Sequence, residues 1–282
     1  MTNIKEIGYT ARADREGFLL NESCWEKVNE KYRPAIDYIV ESLTDSFSDE
    51  IHSIYLRGSL PRGLGIEGVS DIDLLVVTNV SPENSVFHER TRQIENEILR
   101  RYPFVNGIEV GIYALIDVVD TSRFGIIPFM IKTYSIPLYG KNLQERLPRY
   151  KADEKLANEH IVNLKSQIEM ALADLEGNED KEDIKDCCTW IMKIITRCGM
   201  ALVMTEENTY TRDLYPAYKL FSKHFPEQKE EMEKALLYAI NPSEDPVEIS
   251  SFLKDGLGKW MMEEADKWLK EHNPTELKQL PL

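Results

Sequence analysis

Cysteine is scarce in this chain and poorly placed for cross-linking. Cys24, Cys187, Cys188 and Cys198 form no CxxC pair and no framework of spaced half-cystines. Reduced, mostly buried thiols are expected, and the adjacency of Cys187 and Cys188 within an apparent helix disfavours a mutual bridge. Histidine is equally thin: five residues, with no HExxH or paired ligand spacing, offer no zinc site. Positive charge is short as well, with 34 Lys and Arg against 49 Asp and Glu and a formal net charge of −15. Nucleic acid is an unexpected partner on that ground, because phosphate binding needs clustered Lys and Arg. No apolar run approaches the roughly 20 residues of a membrane span. The polar start Met1-Thr-Asn-Ile-Lys-Glu also lacks the apolar centre of a signal peptide. These absences predict a soluble, cytoplasmic chain with no membrane partner; a monomer or weak dimer is expected.

What is present is a core-forming composition, 42% hydrophobic over 282 residues, enough for one large domain or two modest ones. The acidic excess is uneven. Residues 151–282 carry 27 acidic against 17 basic side chains and hold most of the net charge. An acidic cleft would attract a cationic small molecule.

The most informative stretch is Ile54-Tyr-Leu-Arg-Gly-Ser-Leu-Pro-Arg-Gly followed by Gly68-Val-Ser-Asp-Ile-Asp-Leu-Leu-Val-Val. It reads as a buried strand, Ile51–Arg57, ending in Gly58-Ser59, then a short turn, then a second strand over residues 71–78. Side chains alternate along a strand, so Asp71 and Asp73 project to one face, roughly 6.5–7 Å apart, while Ile72 and Leu74 face the core. Two carboxylates beside a Gly-Ser turn suit a divalent metal and a triphosphate. Gly58, without a Cβ, allows close approach of phosphate. Ser59 offers a hydroxyl and an N–H, and Ser70 offers the same. Arg57 and Arg62 flank the loop and add charge, although Arg57, ending its strand, also reads as a surface residue.

The first half alternates strands and helices. Helical spacing of Val28, Tyr32, Ile36, Ile39, Val40 and Leu43 predicts a helix from residue 25 to about 47. Ser81-Pro82-Glu83 reads as the start of a charged helix reaching about Arg101. Residues 107–116 read as a strand after the turn signal Asn106-Gly107, and residues 135–139 as another. Glu109, a charge amid that apolar strand, is the candidate third carboxylate, as metal ligand or as general base. Asp117, with the same parity, is the fallback. From Lys151 the pattern becomes helical: residues 156–175, 183–204, 212–224, 227–240 and 247–271, about five helices suiting an antiparallel bundle. The expected fold class is α+β, with an N-terminal mixed sheet and flanking helices (residues 1–150) before an all-α bundle (residues 151–282).

Gly58-Ser59, eleven intervening residues, then Asp71-Ile-Asp73 resembles the signature of the polymerase-β-like nucleotidyltransferase superfamily. With Ser70 before the pair, Glu109 on a later strand and a helical C-terminal half, the chain is similar to the antibiotic adenylyltransferases of the streptomycin/spectinomycin type. The resemblance implies ATP as co-substrate, Mg²⁺ held by Asp71, Asp73 and Glu109, and a hydroxyl-bearing, aminoglycoside-like acceptor. It also implies that the helical domain contributes to nucleotide binding through Arg197, through Arg212 where the family has lysine, and through Tyr238. At the family's substrate end, tryptophans and acidic side chains hold a cationic acceptor. Asp183 and Asp186 stand at the corresponding place and the tryptophans are not matched, while the apolar run Arg123-Phe-Gly-Ile-Ile-Pro-Phe stands where a substrate wall is sought.

The residues agree on their own terms. Arg197 interrupts an apolar helix, where a charge must be paired or face a cleft. Trp190, Lys193 and Arg197 share one helical face, which makes Trp190 a further substrate candidate. Thr211 reads as the N-cap of a helix with Asp213 in its first turn. The same chemistry on a protein or RNA acceptor, and a non-catalytic nucleotide sensor, remain alternatives.

Overall fold

A computed structural model describes residues 6–79 and 85–282. The helix start read at Ser81-Pro82-Glu83 lies outside the described residues. The chain divides into two compact units, one formed by residues 19–150 and the other by residues 151–281 together with the N-terminal stretch up to Phe18.

The sheet unit contains helix α1 (Arg33–Phe47), strands β1 (Ile51–Arg57) and β2 (Ile72–Thr78), helix α2 (Ser85–Arg101), strand β3 (Ile108–Ala114), helices α3 (Leu115–Val119) and α4 (Ile126–Tyr134), and strand β4 (Ile136–Gly140). The strands lie in the order β3-β2-β1-β4. β1 runs antiparallel to β2 and β4, and β2 runs parallel to β3, so the sheet is mixed as expected. Ile54 and Leu56 of β1 and Ile72, Leu74 and Val76 of β2 face a core completed by Ile36, Ile39 and Leu43 of α1 and Phe87, Ile94 and Ile98 of α2. The rings of Phe47 and Phe87 stack with centroids 3.9 Å apart. The alternation leaves Arg57, Asp73 and Glu109 on the opposite face of the sheet.

Three sequence expectations change here. The helix predicted from residue 25 is only a 3₁₀ turn at Trp25–Lys27, and α1 begins at Arg33 with Pro34 in its first turn. Proline, lacking an N–H, opens a helix readily but does not continue one. Val28 and Tyr32 are still fully buried, which explains why their spacing mimicked one long helix. Asp117 is not on β3 at all, because the strand ends at Ala114 and Asp117 sits in α3. Phe124 and Phe129 of the presumed substrate wall are buried against Tyr150, within the core of this unit.

The helical unit holds α5 (Glu154–Ile161), α6 (Leu164–Leu175), α7 (Lys181–Ala201), α8 (Met204–Glu207), α9 (Leu214–His224), α10 (Lys229–Ile240), α11 (Pro246–Lys254) and α12 (Leu257–His272). α7 is the central helix, packed by α5, α6, α9 and α10. Asp180 caps its start by accepting the N–H groups of Glu182 and Asp183, satisfying donors that have no intrahelical partner. The helices read as single over residues 156–175 and 247–271 are each two. The second break lies at Gly256, where a Cβ would approach the Phe252 carbonyl oxygen to 3.0 Å. Among the described residues no helix is long and apolar enough to cross a membrane.

Candidate active site

Strand register builds the sheet unit's site. Arg57 pairs with Asp73 across β1 and β2, and Asp73 pairs with Glu109 across β2 and β3. The three side chains therefore form a row across three strands. Arg57 Nη2 lies 3.4 Å from Asp73 Oδ1 and donates to Glu109 as well. Arg57 is thus an internal counter-ion and not a solvated strand end; its side chain is 15% exposed, against 64% for Glu109. Its Nε is buried and has no hydrogen-bond partner among the described residues.

Asp73 carries the strongest electrostatic demand in this unit. Burial pushes its carboxyl up to about 7, Arg57 opposes the rise, and Glu109 and Asp71 add to it. A desolvated carboxylate beside two others holds its charge poorly unless more positive charge arrives. The backbone beside it is bare. Gly58 has φ of +84°, and a Cβ there would sit 2.0 Å from Asp73 Oδ2. Only glycine meets both demands.

Asp71 lies just before β2 and is held from the third strand's approach. Asn106 Nδ2 donates to Asp71 Oδ1 at 2.9 Å, and a Cβ on Gly107 would come within 3.1 Å of the same oxygen. Asn106-Gly107 read only as a turn in the sequence; its second use, as the support of Asp71, depends on a parallel register that residue spacing does not encode.

The turn between β1 and β2 uses its candidate residues unevenly. The Ser59 carbonyl accepts the N–H groups of Arg62 and Leu64, closing the turn around Leu60–Arg62. Ser70 Oγ accepts the Ile66 N–H at 2.9 Å, so that hydroxyl fastens the loop to itself. Arg62 is buried, its guanidinium 5.2 Å from the centre of the Tyr134 ring, and packs beneath the turn.

The oxygen donors here are hard ligands of the kind Mg²⁺ selects. Among the described residues no group of three His, Cys, Asp or Glu side chains converges as a ready-made metal centre. Arg57 contacts both Asp73 and Glu109, whose carboxyl groups also meet each other, while Asp71 is turned to Asn106, so the three carboxylates assigned to metal from sequence do not close on one point. Gly58 and Gly107 nevertheless leave both aspartates open at the backbone, and the raised Asp73 pKa marks a place short of positive charge. The residues fit a magnesium ion held by Asp71 and Asp73, with Glu109 adjacent.

In the helical unit, the structure brings Arg197 and Arg212 together. Arg197 Nε donates to the Arg212 carbonyl at 3.3 Å. The two guanidinium charges act on His160, whose ring burial and these charges hold down to about 3. His160 Nε2 meets Tyr210 Oη at 3.2 Å, and Tyr210 is fully buried. Burial raises the Glu159 carboxyl to about 7 against the pull of Arg212. Glu159, His160 and Tyr210 gave no motif in the sequence. Tyr238 stands apart from this cluster. Its hydroxyl donates to Glu248 at 2.5 Å, and Lys234 lies over its ring. Asp183, Asp186 and Trp190 do share one feature: with Asp174, Cys187 and Met170 they line a groove of about 530 Å³ between α6 and α7. Trp190 is 37% exposed there.

Residues 36–127 match the family described as nucleotidyltransferase domain, a span that includes Gly58, Asp71, Asp73, Asn106 and Glu109. Among curated proteins none matches the chain in sequence. Its fold is similar to that of a spectinomycin adenyltransferase from Enterococcus faecialis, crystallised with ATP and spectinomycin. That similarity has a TM-score of 0.47 and 16% identity, covering 84% of this chain and 99% of that one. So loose a likeness transfers no residue roles. The matched span is the part of the sheet unit that carries the Gly-Ser turn and the row of Asp73 and Glu109, so it is over these residues that the chain is similar to nucleotidyltransferase domains.

Proposed function

We propose that the chain moves AMP from ATP to a hydroxyl of a small cationic acceptor of the aminoglycoside type, releasing pyrophosphate. The observation that carries this reading is the Asp73–Glu109 register beside Gly58: a buried carboxylate next to bare backbone, and an exposed carboxylate one strand away. Glu109 is the general base. Its carboxylate takes the acceptor's O–H proton as the oxygen bonds to the α-phosphorus, and the bond from that phosphorus to the bridging oxygen breaks as pyrophosphate leaves. Arg57 donates to the Glu109 carboxylate and orients it until the acceptor arrives. Gly58 and Ser59 present backbone N–H groups to the phosphates, and Asn106 fixes Asp71. Mg²⁺, held by Asp71 and Asp73 with Glu109 beside them, would neutralise charge on the triphosphate and the departing pyrophosphate.

In the helical unit, Arg197 and Arg212 are the anion-binding pair. The groove bearing Asp174, Asp183, Asp186 and Trp190 combines carboxylates with an aromatic face, a chemistry that suits a polyamine ligand. The test is pyrophosphate release from ATP and Mg²⁺ over a panel of aminoglycosides, with Glu109→Gln and Asp73→Asn alongside. Turnover with at least one acceptor is expected, falling by about 10³-fold or more in both variants while their melting curves persist. Full activity in Asp73→Asn would sink the mechanism. Tight ATP binding without turnover on any acceptor would favour a sensor.

A further inference from the structure

The N-terminal stretch, residues 6–18, belongs to the helical unit although more than 130 residues of sheet unit separate the two in sequence. Its hydrogen bonds are concentrated on one short segment. The Ala11 N–H donates to the Tyr210 carbonyl at 2.8 Å, and the Thr211 hydroxyl donates to the Tyr9 carbonyl at 2.9 Å. The Tyr9 N–H donates to Asp213 Oδ2 at 2.9 Å, and the Tyr215 hydroxyl donates to Glu6 at 2.7 Å. Both neighbours of Arg212 are therefore bound to the strap. Thr211 is fully buried, and its Oγ1 also accepts the Asp213 N–H at 3.1 Å. Gly8 has φ of +106°, and a Cβ there would sit 2.3 Å from Asp213 Cβ, so the strap is shaped to lie against this residue. The far end is anchored too: Phe18 bridges Lys151, whose ammonium lies 4.5 Å from the Phe18 ring centre.

From the other side, Arg197 holds the Arg212 carbonyl, and the His160–Tyr210 contact fixes the residue two positions earlier. Asp213 would ordinarily cap α9 with its side chain. It makes no such cap and gives its carboxylate to the strap. An N-cap bond stabilises a helix start, so the segment forgoes a local contact for a remote one. The result is a backbone tied at residues 211, 212 and 213, in a stretch before α9 that is neither helix nor strand.

We infer that residues 6–18 form a positioning strap for Arg212, setting the direction of its guanidinium for the triphosphate. The inference rests on the role proposed above for Arg212. Fixing an arginine before ligand arrives lowers the ordering cost of binding. Loosening the strap therefore weakens ATP binding and leaves the chemical step intact, since Arg212 holds substrate and transition state alike.

The test uses the full chain and four variants. Thr211→Val removes the hydroxyl that ties residue 211 to Tyr9 and Asp213; Thr211→Ser restores it. Gly8→Ala disturbs the strap's seat on Asp213 from the strap side, with the sequence of residues 209–214 unchanged. Arg212→Ala removes the positioned group. KM for ATP is expected to rise about 10- to 100-fold in Arg212→Ala, the loss of a charge-assisted contact. A smaller rise, about 5-fold, is expected in Thr211→Val and in Gly8→Ala, with kcat nearly constant and with recovery in Thr211→Ser. Because the strap acts through Arg212, the double variant Thr211→Val/Arg212→Ala should be no worse than Arg212→Ala alone. Multiplying effects, or a lowered Tm with unchanged KM in both strap variants, would overturn the inference and leave the role of Arg212 standing. An unchanged KM in Arg212→Ala would overturn that role and the inference with it.

Discussion

The two units meet opposite electrostatic problems. On the sheet, carboxylates outnumber cations: Asp73 and Glu109 share Arg57, Asp71 adds a further negative charge, and burial drives Asp73 up to about 7. In the helical unit two arginines gather around one histidine and one glutamate, and His160 is held down to about 3. One place is short of positive charge and the other is rich in it. The lesson is that neither cluster is built for stability. Each holds charge in a state that the fold alone does not favour, a common property of sites whose ligand completes the balance.

That comparison can be broken most sharply at Gly58. Gly58→Ala places a Cβ on Asp73 in a backbone conformation unfavourable to alanine. Transfer should fall by about 10²-fold or more, while His160, in the other unit, keeps its low pKa by NMR titration. Retention of activity would show that the backbone's closeness to Asp73 is incidental.

The second way is through pH, in protein stripped of divalent ions. Asp73 has a folded pKa of about 7 against an ordinary 3.8, so the native state holds a proton the unfolded chain has lost. Its contribution to stability is full below pH 4 and falls as pH rises towards 7. Glu159, raised to about 7, slopes the same way. His160 does the reverse: the unfolded chain takes up a proton below 6.5 that the native state refuses, so stability falls as pH drops from 6.5 towards 3. Melting curves should show Asp73→Asn gaining about 1–3 kcal/mol at pH 8, and His160→Gln losing the acid-side decline. Parallel pH profiles in wild type and both variants would contradict the opposed demands.

The smallest effect is expected in the acidic groove. Asp183→Asn and Asp186→Asn should each raise KM for a polycationic acceptor only a few-fold, as partly exposed charges do, with the difference shrinking as salt is raised. An effect independent of salt would mean that these residues act otherwise than by charge.

Much of the sheet site was legible because a strand's period of two is a sequence property. Asp71 and Asp73 had to share a face once residues 72–78 were a strand, and Gly58-Ser59 at its fixed distance marked the turn. Glu109 was visible as a charge in an apolar run. Arg57 was not assignable, since its position at a strand end fits solvent as well as an ion pair. Only the pairing of β1 with β2 puts it against Asp73. Asn106 was hidden in the same way. In the helical half, Arg197 and Arg212 stood out, but Tyr238 looked alike and has other partners, Glu248 and Lys234. Local periodicity also overran real breaks, as at Pro34 and Gly256, because residues on both sides of each break are buried.

By itself, then, the sequence determined the periodicity of its elements, the Gly-Ser turn, the spacing of the two aspartates and the change of character near residue 150. These follow from bond geometry and the alternation of apolar residues, which act over a few positions. The tertiary structure alone decided that Arg57 lies against Asp73 and Glu109, that Asn106 supports Asp71, and that residues 6–18 return to bind Tyr210, Thr211 and Asp213. Those contacts join residues from 16 to more than 200 positions apart. No local rule reaches so far; only the burial of the whole core selects the register that brings them together.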